Sequence, residues 1–258
     1  MMFYIDTHAH LCKEYYPDTF EEVVQRSVEA HVTQIILPGV NASGQAGLLE
    51  AADCFPAHLF PLVGLHPTDV FENYREELDL LKEFLKDPRI IGIGEIGMDL
   101  YHDKTFLAQQ REAFYMQLEW ARDLQLPLSL HIRNAYEDSI EILKQFADCG
   151  LKGVLHCFSG GIQEAEWAIQ FGFVLGIGGV VTFKNSKLQE IVKAVGLQHI
   201  VLETDAPFLA PVPFRGKINE STYIPLIADK IASIFEISTE EVMRATTDTA
   251  RKIFAKLP

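Results

Sequence analysis

The stretch Phe3-Tyr4-Ile5-Asp6-Thr7-His8-Ala9-His10 constrains this chain more than any other. It is a short apolar run that ends in two histidines separated by one residue. Side chains alternate faces along a strand, so residues two apart point the same way. His8 and His10 therefore project together from one strand end, where two imidazoles can chelate one divalent ion. A lone pair of this kind also closes strands in proteins that bind nothing. Matching ligands at the ends of later strands would separate the two readings.

Eight short runs rich in β-branched or aliphatic residues fall at roughly 3–8, 34–40, 59–66, 90–96, 126–132, 152–157, 173–178 and 200–205. Amphipathic helical patterns lie between them. The first, Asp18–Val32, carries Phe20, Val23, Val24, Ser27 and Val28 on one stripe, with Asp18 and Glu21 spaced as a capping box. Ser43 is the expected N-cap of the next, Ser43–Phe55. Tyr74–Lys86, Phe106–Leu124, Tyr136–Ala147, Gln163–Phe171, Ser186–Val195 and Tyr223–Phe235 follow. Ser238 and Glu241 then suggest a capping box for Ser238–Lys256. Strands alternating with helices imply a parallel sheet with right-handed crossovers. Eight such units in 258 residues predict an α/β fold, a (βα)8 TIM barrel, as one domain spanning residues 1–258. A doubly wound open sheet is the alternative, but it usually carries a glycine-rich phosphate loop where this chain has histidines.

In a barrel the C-terminal strand ends converge on one mouth. Five of the nine histidines are expected at such ends: His8, His10, His66, His131 and His156. Glu95 is expected to end strand four, and Glu203 and Asp205 to end strand eight. Four histidines (His8, His10, His131, His156) and two acids (Glu95, Asp205) exceed what one tetrahedral ion needs. They suit two divalent ions with Glu95 as the bridging carboxylate. The first ion would take His8, His10, Glu95 and Asp205, and the second Glu95, His131 and His156. Asp205 could also accept the proton of an attacking water. So many imidazoles favour zinc, manganese, nickel or iron over magnesium, which prefers oxygen donors.

The totals exclude other classes. Apolar residues make up 48% and charged residues 22%, as in an ordinary soluble globular protein. No apolar run is long enough to span a bilayer, and the N-terminus begins a strand without a signal-peptide core. A cytoplasmic protein is expected, acting as a monomer or weak oligomer. Cys12, Cys54, Cys149 and Cys157 form no Cys-x-x-Cys pair, and Cys157 is expected to point into the core. The net charge of −14 argues against binding long duplex through a broad basic face.

Taken together, the motifs resemble the TatD family of metal-dependent deoxyribonucleases, within the amidohydrolase-like barrels. The resemblance is carried by Asp-Thr-His-Ala-His at 6–10, Gly-Leu-His-Pro at 64–67, Gly-Glu-Ile-Gly-Met-Asp at 94–99, and His131 with Arg133. It continues through His-Cys-Phe-Ser-Gly at 156–160, Glu-Thr-Asp-Ala-Pro at 203–207 and Arg-Gly-Lys-Ile-Asn-Glu at 215–220. It implies a barrel, dependence on divalent metal (commonly described as magnesium) and hydrolysis of DNA, often as an exonuclease. It places the ligands on His8, His10, Glu95, His131, His156 and Asp205. The chain departs from the family pattern at Ser221, where proline is usual, and in Thr246-Thr247-Asp248-Thr249, where asparagine is frequent. Single-stranded or frayed DNA ends are the expected substrate.

His66, expected opposite the metals, could donate to a phosphate or merely bond the backbone. Glu203 should share a face with Asp205, either orienting the site and its substrate or pairing with Arg133 or Lys217. Arg133, Arg215 and Lys217 are candidate phosphate contacts, because a guanidinium fork matches phosphate geometry. Phe158, Phe183 and Phe208 could stack a nucleobase. Three other readings remain. A small-molecule amidohydrolase often bridges its metals with a carboxylated lysine on strand four, where this chain has Glu95. A D-aminoacyl-tRNA deacylase would use the same ligands. A non-catalytic barrel would be expected to have lost some of them.

Overall fold

Apolar β-branched runs separated by amphipathic helices wind into a closed barrel, and the computed structural model describes it for residues 2–16 and 19–258. The strands are β1 (Tyr4–Asp6), β2 (Val32–Leu37), β3 (Leu59–Pro61), β4 (Ile93–Asp99), β5 (Leu128–Arg133), β6 (Gly153–Leu155), β7 (Phe173–Ile177) and β8 (Ile200–Leu202). The helices are α1 (Phe20–Glu29), α2 (Ala42–Cys54), α3 (Tyr74–Phe84), α4 (Leu107–Leu124), α5 (Tyr136–Leu143), α6 (Ile162–Gln170), α7 (Leu188–Val195), α8 (Ile224–Phe235) and α9 (Thr239–Ile253). The strands pair in parallel as β1-β2-β3 and β4-β5-β6-β7-β8. Two parallel bridges, Val63 with Ile93 and Ala9 with Ala206, join these arcs. Gly94 N donates to Val63 O at 2.8 Å and Thr7 N to Leu202 O at 3.0 Å across the seams. The result is the eight-stranded TIM barrel that the alternation predicts.

The floor of the barrel is sealed. α9 packs Ala250, Ile253 and the following Phe254 against Ile5, Ile36, Phe60, Val154 and Val201. That leaves the opposite end as the place where polar side chains can meet, and all the histidines of the motifs lie there. No helix among the described residues is long and apolar enough to cross a membrane.

Several expected boundaries move. β4 runs three residues past its expected end, so Glu95 sits in its third position and Asp99 closes it. Glycine reads as a stop signal, but a Cβ at Gly97 would lie 2.0 Å from His131 O. Gly97 is therefore what lets β4 continue in close register beside β5. The N-cap of α2 is Asn41, whose side chain accepts from Gly44 N at 3.0 Å, and Ser43 Oγ donates to Asn41 instead. α5 stops at Leu143 and tightens into a 3-10 turn, Lys144–Cys149. Ser238 and Glu241 form the expected capping box on α9. The proposed capping box at Asp18 lies outside the described residues.

Candidate metal centre

Because β1, β6 and β8 are short, His8, His10, His156, Glu203 and Asp205 leave the strands and reach inward from the loops that follow. His131 projects from within β5. All converge on Glu95, which is 1% exposed. Its two carboxylate oxygens face different partners. Oε2 lies 3.1 Å from His8 Nε2 and 3.5 Å from His10 Nε2. Oε1 lies 2.7 Å from His131 Nδ1 and 3.4 Å from His66 Nε2. Asp205 Oδ1 sits 3.5 Å from His10 Nε2 and 3.6 Å from His156 Nε2.

The outward nitrogens of three of these rings face polar groups of the protein. His8 Nδ1 meets Ser129 Oγ at 3.0 Å, and His131 Nε2 meets Asp99 Oδ2 at 2.9 Å. His156 Nδ1 lies 3.1 Å from Glu203 Oε1. Contact at the outer nitrogen orients each ring with its other nitrogen inward, the arrangement of metal-binding imidazoles, which His131 and His156 complete on losing a proton. Glu95 Oε2, like His156 Nδ1, is buried without a hydrogen-bond partner. An anionic oxygen left so costs free energy unless a cation meets it. The donor set therefore fits divalent cations, with Glu95 able to serve two of them.

His66 differs from the other rings. Its Nδ1 accepts from Thr68 N at 3.1 Å, which leaves its ring proton on Nε2, aimed at Glu95. It lies beside the centre, within reach of Glu95 and His131, and not opposite the metal cluster as the sequence suggests. His156 groups most closely with His8 and Asp205, its ring stacked on His8 with centroids 3.3 Å apart.

Burial and neighbours set the charges. Burial drives His8 well below the usual imidazole range and His10 down to about 4, so both are neutral donors. Burial also opposes charge on His131 and His156. There the carboxylates win: Asp99 and Glu95 hold His131 at about 9, and Glu203, Glu95 and Asp205 hold His156 at about 10. Burial pushes Glu95 up, but the surrounding histidines outweigh it and keep the carboxylate well below its usual range. Burial raises Asp205 to about 7 despite His156 beside it.

Two expectations from strand alternation fail. Asp205 has φ 58°, in the left-handed region, so it does not share a face with Glu203. Glu203 is wholly buried and engages His156 and Cys157 N, the latter at 2.5 Å, in place of Arg133 or Lys217. Cys157 does not enter the core; with φ 46° it turns into the mouth and lines the cavity there. Arg133 also lines that cavity, its guanidinium 3.9 Å over the Tyr101 ring. Arg215 and Lys217 are exposed on the loop after β8 and do not line it; Arg215 stacks on Phe183 instead.

Ser129 and His102 lie outside the motifs, and Asp99, which closes the motif at 94–99, is assigned no role by it. Asp99 Oδ2 contacts His102 Nδ1 at 2.9 Å as well as His131. The signal for two of them was present: alternation puts Glu95 with Asp99, and Ser129 with His131, on common faces of their strands. Asp6 supports the site from below. Its carboxylate accepts from Thr204 Oγ1 at 2.6 Å, Thr204 N at 3.0 Å and His8 N at 3.2 Å, clamping the β1 and β8 ends together. Asp6→Ala strands three buried donors and is expected to lower stability by about 3 kcal/mol or more. Urea unfolding measures it; a loss under about 0.5 kcal/mol, typical of a surface position, would deny the clamp.

Residues 5–255 match the family model described as TatD related DNase. The chain is 36% identical over 250 residues to YabD of Bacillus subtilis, described as an uncharacterized metal-dependent hydrolase, covering 96% of this chain and 98% of that one. It is 30% identical to the 3'-5' ssDNA/RNA exonuclease TatD of Erwinia tasmaniensis, covering 96% and 98%. The crystal structure of YjjV, a TatD homologue from Escherichia coli, superposes with a TM-score of 0.90 at 28% identity, covering 98% of both chains. A barrel whose inward imidazoles share one buried carboxylate, matched along nearly its whole length, belongs to the TatD-related DNase family.

Proposed function

We propose that this protein is a metal-dependent hydrolase that cleaves phosphodiester bonds at the ends of single-stranded nucleic acid, DNA above all. The observation that carries the reading is Glu95, whose two oxygens are divided between two groups of imidazoles. Glu95, His8, His10 and Asp205 would hold one divalent ion, and Glu95 with His131 a second, His156 lying between them. Ions bound there acidify water and neutralise charge on the phosphoryl oxygens.

The chain's own groups do the rest. Asp205, raised to about 7 by burial, can accept the proton of the attacking water near neutral pH. The water oxygen bonds to phosphorus, the ester P–O bond breaks, and the departing oxygen takes up the proton. His66, on the cavity wall beside Glu95, would donate its Nε2–H to a phosphoryl oxygen. Arg133, pinned on Tyr101, offers a guanidinium fork from the cavity wall. Arg215 and Lys217, outside the cavity, would meet only phosphates further along the strand. The cavity of about 750 Å³ is flanked by Tyr15 and Phe208, ring centroids 5.8 Å apart, which suits unstacked bases better than a duplex.

Single-stranded oligonucleotides are expected to be cleaved faster than the matched blunt duplex. With two or three phosphates contacted, the rate constant under subsaturating conditions should fall with salt at a log–log slope of about −2. Faster cleavage of intact duplex would overturn the substrate assignment. Hydrolysis of D-aminoacyl-tRNA without any phosphodiester cleavage would overturn the reaction class.

A further inference from the structure

A second cavity, of about 390 Å³, opens beside the metal centre between the turns that follow β6, β7 and β8. Cys157, Ser159, Asp205 and Leu209 line both cavities, so the two adjoin. Its walls are apolar side chains, including Phe158 and Leu188, and bare peptide planes at several glycines. Its volume lies within the range of small-ligand pockets.

Most of these glycines are required by packing. A Cβ at Gly160 would lie 2.9 Å from both Phe158 Cζ and Tyr136 Cζ, and one at Gly179 only 2.2 Å from Leu209 O. Gly178 is different. Its φ of −105° is open to any residue. A Cβ there meets nothing closer than 3.6 Å, and its nearest neighbours are Glu203 and Thr204, which line the cavity. Neither conformation nor contact demands glycine at 178; the missing side chain keeps the cavity open. Glu203 also packs over Gly176 at the cavity floor, and its Oε2 has no hydrogen-bond partner although the residue is wholly buried.

We propose that this second cavity is the subsite for the terminal nucleobase of the strand being cut. A planar ring with an apolar face and N–H donors on its edge matches peptide planes, Phe158 and the Glu203 and Thr204 carbonyl oxygens that face the space at Gly178. Lys187 is exposed at the lip of the cavity. The inference rests on the phosphodiesterase reading of the neighbouring centre and adds to it how the strand end is recognised.

The test is binding of short single strands that carry 2-aminopurine at the 3′ or the 5′ terminus and an uncleavable phosphorothioate at the terminal linkage. The wild-type protein should change the probe's fluorescence at one of the two ends. It should bind that strand roughly tenfold more tightly than the same strand with an abasic terminus. Gly178→Leu should erase the difference between base-bearing and abasic ends, and Gly178→Ala should reduce it. Equal binding of base-bearing and abasic ends by the wild type, or an undiminished difference in Gly178→Leu, would overturn the subsite. Failure of the parent reading looks different: no phosphodiester is hydrolysed, bis(4-nitrophenyl) phosphate included, whatever the binding measurement shows.

Discussion

Glu95→Ala is expected to strip metal from both positions and to slow phosphodiester hydrolysis by about 10³-fold, while the barrel persists. The size of the effect follows from where the side chain stands. One carboxylate lies within 3.5 Å of His8, His10, His131 and His66, through both of its oxygens. Removing it takes the shared anion from two clusters at once. It also removes part of the attraction that keeps His131 and His156 protonated, and cations at the mouth then face imidazoles without a counter-charge. The barrel should survive, because the backbone of β4 keeps its pairing with β5 and water can fill a cavity lined by polar groups. Elemental analysis, kcat and a thermal melt on one preparation decide the matter. Wild-type turnover with wild-type metal content in the variant would remove Glu95 from the bridging role.

The second large effect concerns which metal binds and how its hold varies with pH. Four imidazoles in the proposed ligand set favour a transition metal such as zinc, manganese or nickel over magnesium. Protein purified without chelator should therefore retain such an ion, with added magnesium filling the weaker position. Metal and proton compete for the same ring nitrogens, so the direction with pH follows from the metal-free charges. His8 and His10 are neutral near pH 7 and release no proton when an ion arrives. His131 and His156, held at about 9 and about 10, must each give one up. Apparent affinity should thus climb as pH rises from 6 toward 9, by about tenfold per unit for each displaced proton. Loss begins above pH 6, the value an unperturbed histidine would suggest. Isothermal titration at several pH values reads the slope and the proton release directly. Protein free of transition metal yet fully active in scrupulously cleaned magnesium buffer would sink this account of the ligand set.

The chain's linear order determined a good deal. Period-two and period-3.6 patterns are local, so the alternation of strands with helices, and hence the barrel, could be read directly. Because C-terminal strand ends in such a barrel share one mouth, the convergence of His8, His10, Glu95, His131, His156 and Asp205 could be read as well. Tertiary structure decided what depends on exact strand length and backbone twist. Gly97 carries β4 past Glu95 because a neighbouring carbonyl leaves no room for a Cβ, and this delivers Asp99 to His131. Asp205 turns left-handed and parts company with Glu203, which goes to the back of His156. His66 joins the centre through a ring contact with His131, 65 residues away in sequence. The cavity behind Asp205 exists only because three separate turns meet around a glycine that packing does not require. Such features depend on distances between residues far apart in the chain, and no periodicity encodes those distances.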